Sequence, residues 1–270
     1  MMKIRKDCED MRIITIANFK GGTGKTQTAV NLAALLAREG QRTLLIDADP
    51  QHNSSGFYCP DHDGPTLTDV LQGTGEPMWY NNTQPTAWEN LFILPADMGL
   101  LRLDLATILN DPQVSGDSII KRMFDFLDCV REDDAMDYVL IDCPPSFTAA
   151  SVAALVCCDE VILPTRADAF SRLGALELIE QARSLGRFNV QPRFRVLVTM
   201  ADRTRLSVQA EEQLRRDGLE VFKTVIHSSV CVGESSYARL PLYEYAPRSR
   251  AAQDYEELLR EVLGYGKEQV

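Results

Sequence analysis

Residues 18–27 read Asn-Phe-Lys-Gly-Gly-Thr-Gly-Lys-Thr-Gln, and they join a short apolar run to an amphipathic one. The run before them, Ile13-Ile14-Thr15-Ile16-Ala17, is β-branched and suits a buried strand. After them Ala29, Leu32, Ala33 and Leu36 recur at helical spacing. A strand, a glycine turn and a helix start together make a phosphate cradle. Gly21, Gly22 and Gly24 let the backbone bend and bring its N–H groups to an anion. The helix dipole adds positive potential, Lys25 supplies a point charge, and the Thr26 hydroxyl can bind Mg²⁺. The standard P-loop pattern asks for glycine where Phe19 stands, and a second lysine, Lys20, precedes the glycines instead.

Strand-like runs near 12–17, 42–47, 91–94, 137–142, 159–164, 193–199 and 220–225 alternate with helical patterns. The helical patterns lie near 26–39, 66–72, 115–131, 147–157, 170–185, 204–217 and 248–263. Such alternation predicts an α/β fold, a mostly parallel central sheet with helices on both faces and ligands at the carboxyl ends of the strands. Lys25, Asp47 and Asp142 fall at or just beyond such ends. Asp47 and Asp49 flank one residue, so in an extended segment they face the same side, and two like charges together favour a bound cation or a raised pKa. Asp142 ends an apolar strand, where a buried carboxylate requires a cationic neighbour. A short leader over 1–11 and a single domain over 12–270 are expected. Residues 73–90 read as one long irregular loop, its two tryptophans either anchoring it or marking a partner surface.

These motifs resemble those of the deviant Walker A ATPases of the ParA/MinD group, closest to its small ParA-type partition members. The family's K-G-G-x-G-K-[ST] matches Lys20 to Thr26 at every fixed position. Leu44 to Gln51 resembles its switch I, and Tyr138 to Ser146 its Walker B strand and switch II. Two weaker segments, Arg203 to Ser207 and Tyr245 to Arg250, extend the likeness, which covers residues 12 to about 263. The resemblance implies ATP and Mg²⁺ as cofactors, with Lys20, Gly21, Gly22, Thr23, Gly24, Lys25, Thr26, Gln27, Thr199 and His227 around the nucleotide. It implies Thr26 and Asp142 at the metal, Asp47 and Asp49 organising the attacking water, and Lys25 on the β- and γ-phosphates. Lys20 is then the signature lysine that reaches a partner's nucleotide across an ATP-dependent homodimer, much as an arginine finger does.

The resemblance also implies nonspecific DNA binding through Arg203, Arg205, Arg248 and Arg250, and a ParB-like or other partner that stimulates slow hydrolysis. Here the chain departs from the family, because His227, Ser228 and Cys231 stand where proline and two arginines are usual. The net charge of −11 argues against binding nucleic acid by bulk charge. It is uneven: residues 1–186 carry 15 Lys+Arg against 27 Asp+Glu, and residues 187–270 carry 13 against 12. DNA contact is therefore expected to be weak and local. A MinD-like membrane role needs a basic amphipathic tail, which EELLREVLGYGKEQV does not supply. A cluster-carrying ATPase needs paired exposed cysteines, and no C-x-x-C pair occurs among the seven cysteines. A nucleotide sensor without activity is disfavoured by the presence of Lys20, Asp49 and Asp142 together. No apolar run approaches a membrane span and the N-terminus lacks a signal-peptide core, so a cytoplasmic protein is expected.

Overall fold

Alternate residues of the apolar runs pack into opposite layers, which is what turns those runs into buried strands. Ile13, Leu44, Ile46, Val139 and Ile141 lie in one core cluster, and Ile14, Ile16, Leu45 and Leu140 in the other. The computed structural model describes residues 11–76, 78–109, 114–185, 192–202 and 204–264. The leader positions 1–10 lie outside them, while Met11 is already part of the core.

The strands are β1 Arg12–Ile16, β2 Thr43–Asp47, β3 Gln84–Pro85, β4 Leu91–Leu94, β5 Tyr138–Asp142, β6 Glu160–Arg166, β7 Arg193–Ala201 and β8 Glu220–His227. They form one sheet in the order β3-β4-β2-β5-β1-β6-β7-β8. Every described pairing is parallel except β3 with β4. Strands β2, β5 and β1 lie side by side, with Asp47 opposite Asp142 and Asp142 opposite Ile16. Two adjacent strand ends therefore carry carboxylates in register, at the edge where the glycine turn also emerges.

The helices are α1 Lys25–Arg38, α2 Asn53–Tyr58, α3 Leu67–Gln72, α4 Trp79–Asn82, α5 Gly99–Ile108, α6 Gly116–Glu132, α7 Ala149–Cys157, α8 Ala169–Ser184, α9 Arg205–Arg216, α10 Val230–Ala238, α11 Leu242–Tyr245 and α12 Arg250–Leu263. One layer holds α3, α5, α6, α7 and α8, the other α1, α11 and α12. Side-chain caps start several of them: Ser115, Thr148, Asp168 and Ser249 each accept from a backbone N–H of the first turn.

The stretch 73–90 is not wholly irregular, since it contains α4 and β3. Both tryptophans are anchors. Trp79 packs edge-on against Phe92 and donates to Asp133 at 2.9 Å. Trp88 packs against Tyr58 and donates to Glu244 at 2.5 Å. Cys143, Cys157 and Cys158 are buried, and burial pushes the Cys158 thiol up to about 12, so these are core residues.

Candidate nucleotide and metal site

The cradle is built from the turn upward. Asn18, fully buried after β1, donates its amide to the Pro164 carbonyl at 2.8 Å and accepts the Lys20 N–H at 2.9 Å. This fixes the chain's exit from the sheet and sets Lys20 at the rim. Gly22 and Gly24 adopt φ of +69° and +89°, which side chains other than glycine rarely take. A Cβ at Gly21 or Gly22 would meet nothing within 4 Å, so open space lies over the turn. No side chain caps the N-terminus of α1, which leaves its first N–H groups for an anion. Thr199, on β7, donates its hydroxyl to the Thr23 carbonyl at 2.8 Å and braces the turn from behind.

Lys25 is buried, and its ammonium donates to the Lys20 carbonyl at 3.1 Å. Burial lowers its pKa, and the nearby charges of Asp142 and Asp49 partly restore it. Lys20 is half-exposed and pairs with Asp168 at 3.5 Å. The two lysines thus serve different places: one faces the strand-end carboxylates, the other sits outside the cradle.

Asp47 and Asp142 are fully buried. Burial above all raises both, Asp47 to about 6, with the Asp49 charge adding, and Asp142 to about 7, with the Asp47 charge adding. Asp47 is tied into its own loop. It accepts Ser55 N–H at 2.8 Å, the Ser55 hydroxyl at 2.7 Å and Asp49 N–H at 3.0 Å. Asp49 in turn accepts the Gln51 N–H at 2.9 Å and stays near Lys25. Asp142 accepts the Ser54 hydroxyl at 2.5 Å on Oδ2, while its Oδ1 is buried with no hydrogen-bond partner. The Thr26 hydroxyl stands close enough to favour the charged carboxylate. An orphaned anionic oxygen beside a helix-start hydroxyl fits Mg²⁺. Among the described residues no group of three His, Cys, Asp or Glu is arranged to hold a metal; a bound Mg²⁺ would draw further oxygen ligands from phosphate and water.

The remaining expected residues separate. Gln27 donates its amide to Ser236 at 2.8 Å and, with Thr26, lines a cleft of about 470 Å³ between the start of α1, residues 51–53 and α10. His227 lines a different cleft, of about 480 Å³, along the edge strand β8. Its Nδ1 lies 2.9 Å from Oδ2 of the buried Asp254. Arg250 is exposed and pairs with the same carboxylate at 2.8 Å. Arg248 is exposed. Arg203 lies outside the described residues, and Arg205 begins α9. Asn18, Ser54, Ser55, Asp168 and Ser236 were not anticipated. Only Ser54-Ser55, two hydroxyls soon after an acidic turn, offered any signal.

A glycine turn feeding a helix, a buried lysine and a strand-end carboxylate beside a threonine hydroxyl define a P-loop nucleotide site that works with Mg²⁺. The comparisons with known proteins agree. The model described as "AAA domain" matches residues 11–194. The sporulation initiation inhibitor protein Soj of Bacillus subtilis is 35% identical over 263 residues, 94% of this chain and 99% of its own length. The chromosome partitioning protein ParA of Caulobacter vibrioides is 35% identical over 260 residues, 94% of each chain. The solved structure of apo McdA from Cyanothece superposes with a TM-score of 0.80 at 24% identity, covering 94% of this chain and all of that one, and it shows the fold. The chain belongs to the ParA family of P-loop ATPases, with ATP and Mg²⁺ as its cofactors.

Proposed function

We propose that this chain positions DNA or a protein cargo through an ATP-driven cycle of dimerisation, surface binding and partner-stimulated hydrolysis. Relatives named as chromosome-partitioning proteins support segregation as the role. The observation that carries the cycle is the pair of lysines. Lys25 is buried beside the strand-end carboxylates, whereas Lys20 is held at the rim by Asn18 and Asp168. From that rim, where it pairs with Asp168, it acts across an interface between two copies. Apolar side chains around it support that face: Phe147, packed against Phe19 and 42% exposed, and Leu173, 50% exposed. In this reading Lys25 binds the β- and γ-phosphates, and Asp49, with Asp47 behind it, orients the attacking water. Mg²⁺ neutralises the charge that develops on the phosphates. Turnover without a ParB-like or other stimulating partner is slow, and the protein works in the cytoplasm.

A MinD-like membrane cycle is less supported. The apolar face of α12, with Tyr255, Leu258, Leu259 and Val262, is buried against the core. No described helix is long and apolar enough to cross a membrane.

The test uses two variants. Lys20→Ala is expected to keep ATP binding and lose turnover by about 10²-fold or more. Asp49→Ala is expected to bind ATP and accumulate as a dimer in light scattering. Monomers at saturating ATP, for both the parent and Asp49→Ala, would overturn the cycle.

A further inference from the structure

Helix α2 carries two adjacent serines that reach two different strand ends. Ser55 holds Asp47 and also accepts the Ala96 N–H at 2.9 Å, joining the ends of β2 and β4. Ser54 reaches the end of β5 instead, where its hydroxyl donates to Oδ2 of Asp142. Ser54 is itself fully buried, so no water competes for that bond. A carboxylate at a strand end can rotate about its χ2, and either oxygen can then face the cation. With Oδ2 engaged, the rotation is stopped and Oδ1 is the oxygen left without a hydrogen-bond partner, on a carboxylate that the Thr26 hydroxyl also reaches.

We propose that Ser54 is a positioning residue for the metal site: its bond to Oδ2 of Asp142 presents Oδ1 to the Mg²⁺ that Thr26 ligates. This rests on the Mg²⁺-ATP reading of the site. It adds a residue outside the glycine turn and the Walker B strand, on the short helix α2. Hydrogen bonds of this outer kind fix a ligand's orientation, and losing one weakens metal binding by about 10- to 100-fold. Metal affinity and the position of α2 are thereby linked, because displacing α2 releases Asp142.

The experiment reads metal binding rather than turnover. Mn²⁺ is titrated into the full chain loaded with a non-hydrolysable ATP analogue and followed by electron paramagnetic resonance. Nucleotide affinity in EDTA is measured alongside. Ser54→Ala is expected to lower Mn²⁺ affinity about 10-fold or more while nucleotide affinity in EDTA stays within about threefold of the parent. Ser54→Thr, which keeps the hydroxyl, is expected to recover most of the loss. Equal Mn²⁺ affinity in Ser54→Ala and the parent overturns the proposal. So does an equal loss in Ser54→Ala and Ser54→Thr, which would assign the effect to packing. If Ser54→Ala does not fold, Ser54→Cys keeps the volume with a weak donor, and parental Mn²⁺ affinity there overturns the proposal as well. Failure of the metal-site reading itself looks different: Thr26→Ala and Asp142→Ala would then leave Mn²⁺ affinity unchanged too.

Discussion

Asp142 carries two opposed demands. Folding buries its carboxylate, and holding Mg²⁺ as proposed would need it ionised. Desolvation and the Asp47 charge raise its pKa, the hydroxyls of Ser54 and Thr26 pull it back, and the balance lies near 7. Asp47, on the neighbouring strand, is raised to about 6, chiefly by burial and then by the Asp49 charge. A carboxyl group raised in the folded state keeps protons that the unfolded chain has already released. Stability of the nucleotide-free protein should therefore fall as pH climbs from about 4 to about 7. Asp142→Asn removes the charge and keeps the shape. In the nucleotide-free protein it is expected to raise stability at pH 8 by about 1–3 kcal/mol and to flatten that pH dependence. It should also remove the stabilisation that Mg²⁺ adds to the ATP-bound form. Denaturant melts at pH 5, 6.5 and 8, with and without Mg²⁺-ATP, check both effects. A destabilised Asp142→Asn protein at pH 8 would mean that the carboxylate is already compensated.

At the scale of elements, the site residues legible in the sequence were those fixed by their place on a long element. Lys25 and Thr26 follow from the strand, turn and helix, and Asp142 follows from an apolar run that ends in a charge. The long helices α1, α6 and α12 and the central strands were legible because period and burial agree along them. Helices α2, α4, α10 and α11 were not; like α3 and α7, which were read, they have nine residues or fewer, too few turns for a period alone to mark them. Helix α5 hid for another reason. Leu101, Leu105 and Ile108 stay exposed while Leu100 and Leu103 are buried, so apolar residues cover both faces. The residues that orient the site, Asn18, Ser54 and Asp168, act through contacts across the sheet, and no local pattern records those. The glycine turn allows a test of which strain matters. Gly24 and Gly40 both have positive φ, +89° and +82°, at opposite ends of α1. Alanine at either should cost about 1–2 kcal/mol of stability. Only Gly24→Ala, where the N–H groups face the phosphates, should also weaken ATP binding, by about 10-fold. Calorimetry of both variants decides it, and equal ATP affinities would remove the turn from the binding site.

At the scale of the whole molecule, charge bears on the proposed binding of DNA. The chain is acidic overall, and residues 187–270 are near balance, with 13 Lys+Arg against 12 Asp+Glu. Within that part the candidates are unequal. Arg250 is committed to the buried Asp254, whose charge would be left unpaired if the guanidinium moved to a phosphate. Arg248 is exposed. Ser228 is exposed where a cation would serve, and Val230 and Tyr237 on α10 are 80% and 95% exposed nearby in sequence. The surface around α10 thus presents neutral and apolar groups beside the exposed Glu234 and Arg239. With Arg203 and Arg248 as the principal contacts, a dimer neutralises about four phosphates. The logarithm of its affinity should then fall with the logarithm of salt at a slope of about −3 to −4. We predict that Asp49→Ala, held as a dimer by ATP, binds duplex DNA of any sequence only at low salt and with that shallow slope. Arg203→Ala combined with Arg248→Ala should abolish retention and leave ATP turnover intact. Fluorescence anisotropy on a labelled duplex from 25 to about 200 mM salt separates the outcomes. Retention that survives the double substitution places the contacts on another surface. No retention by the dimer at the lowest salt means that a protein scaffold, and not DNA, is what this ATPase moves along.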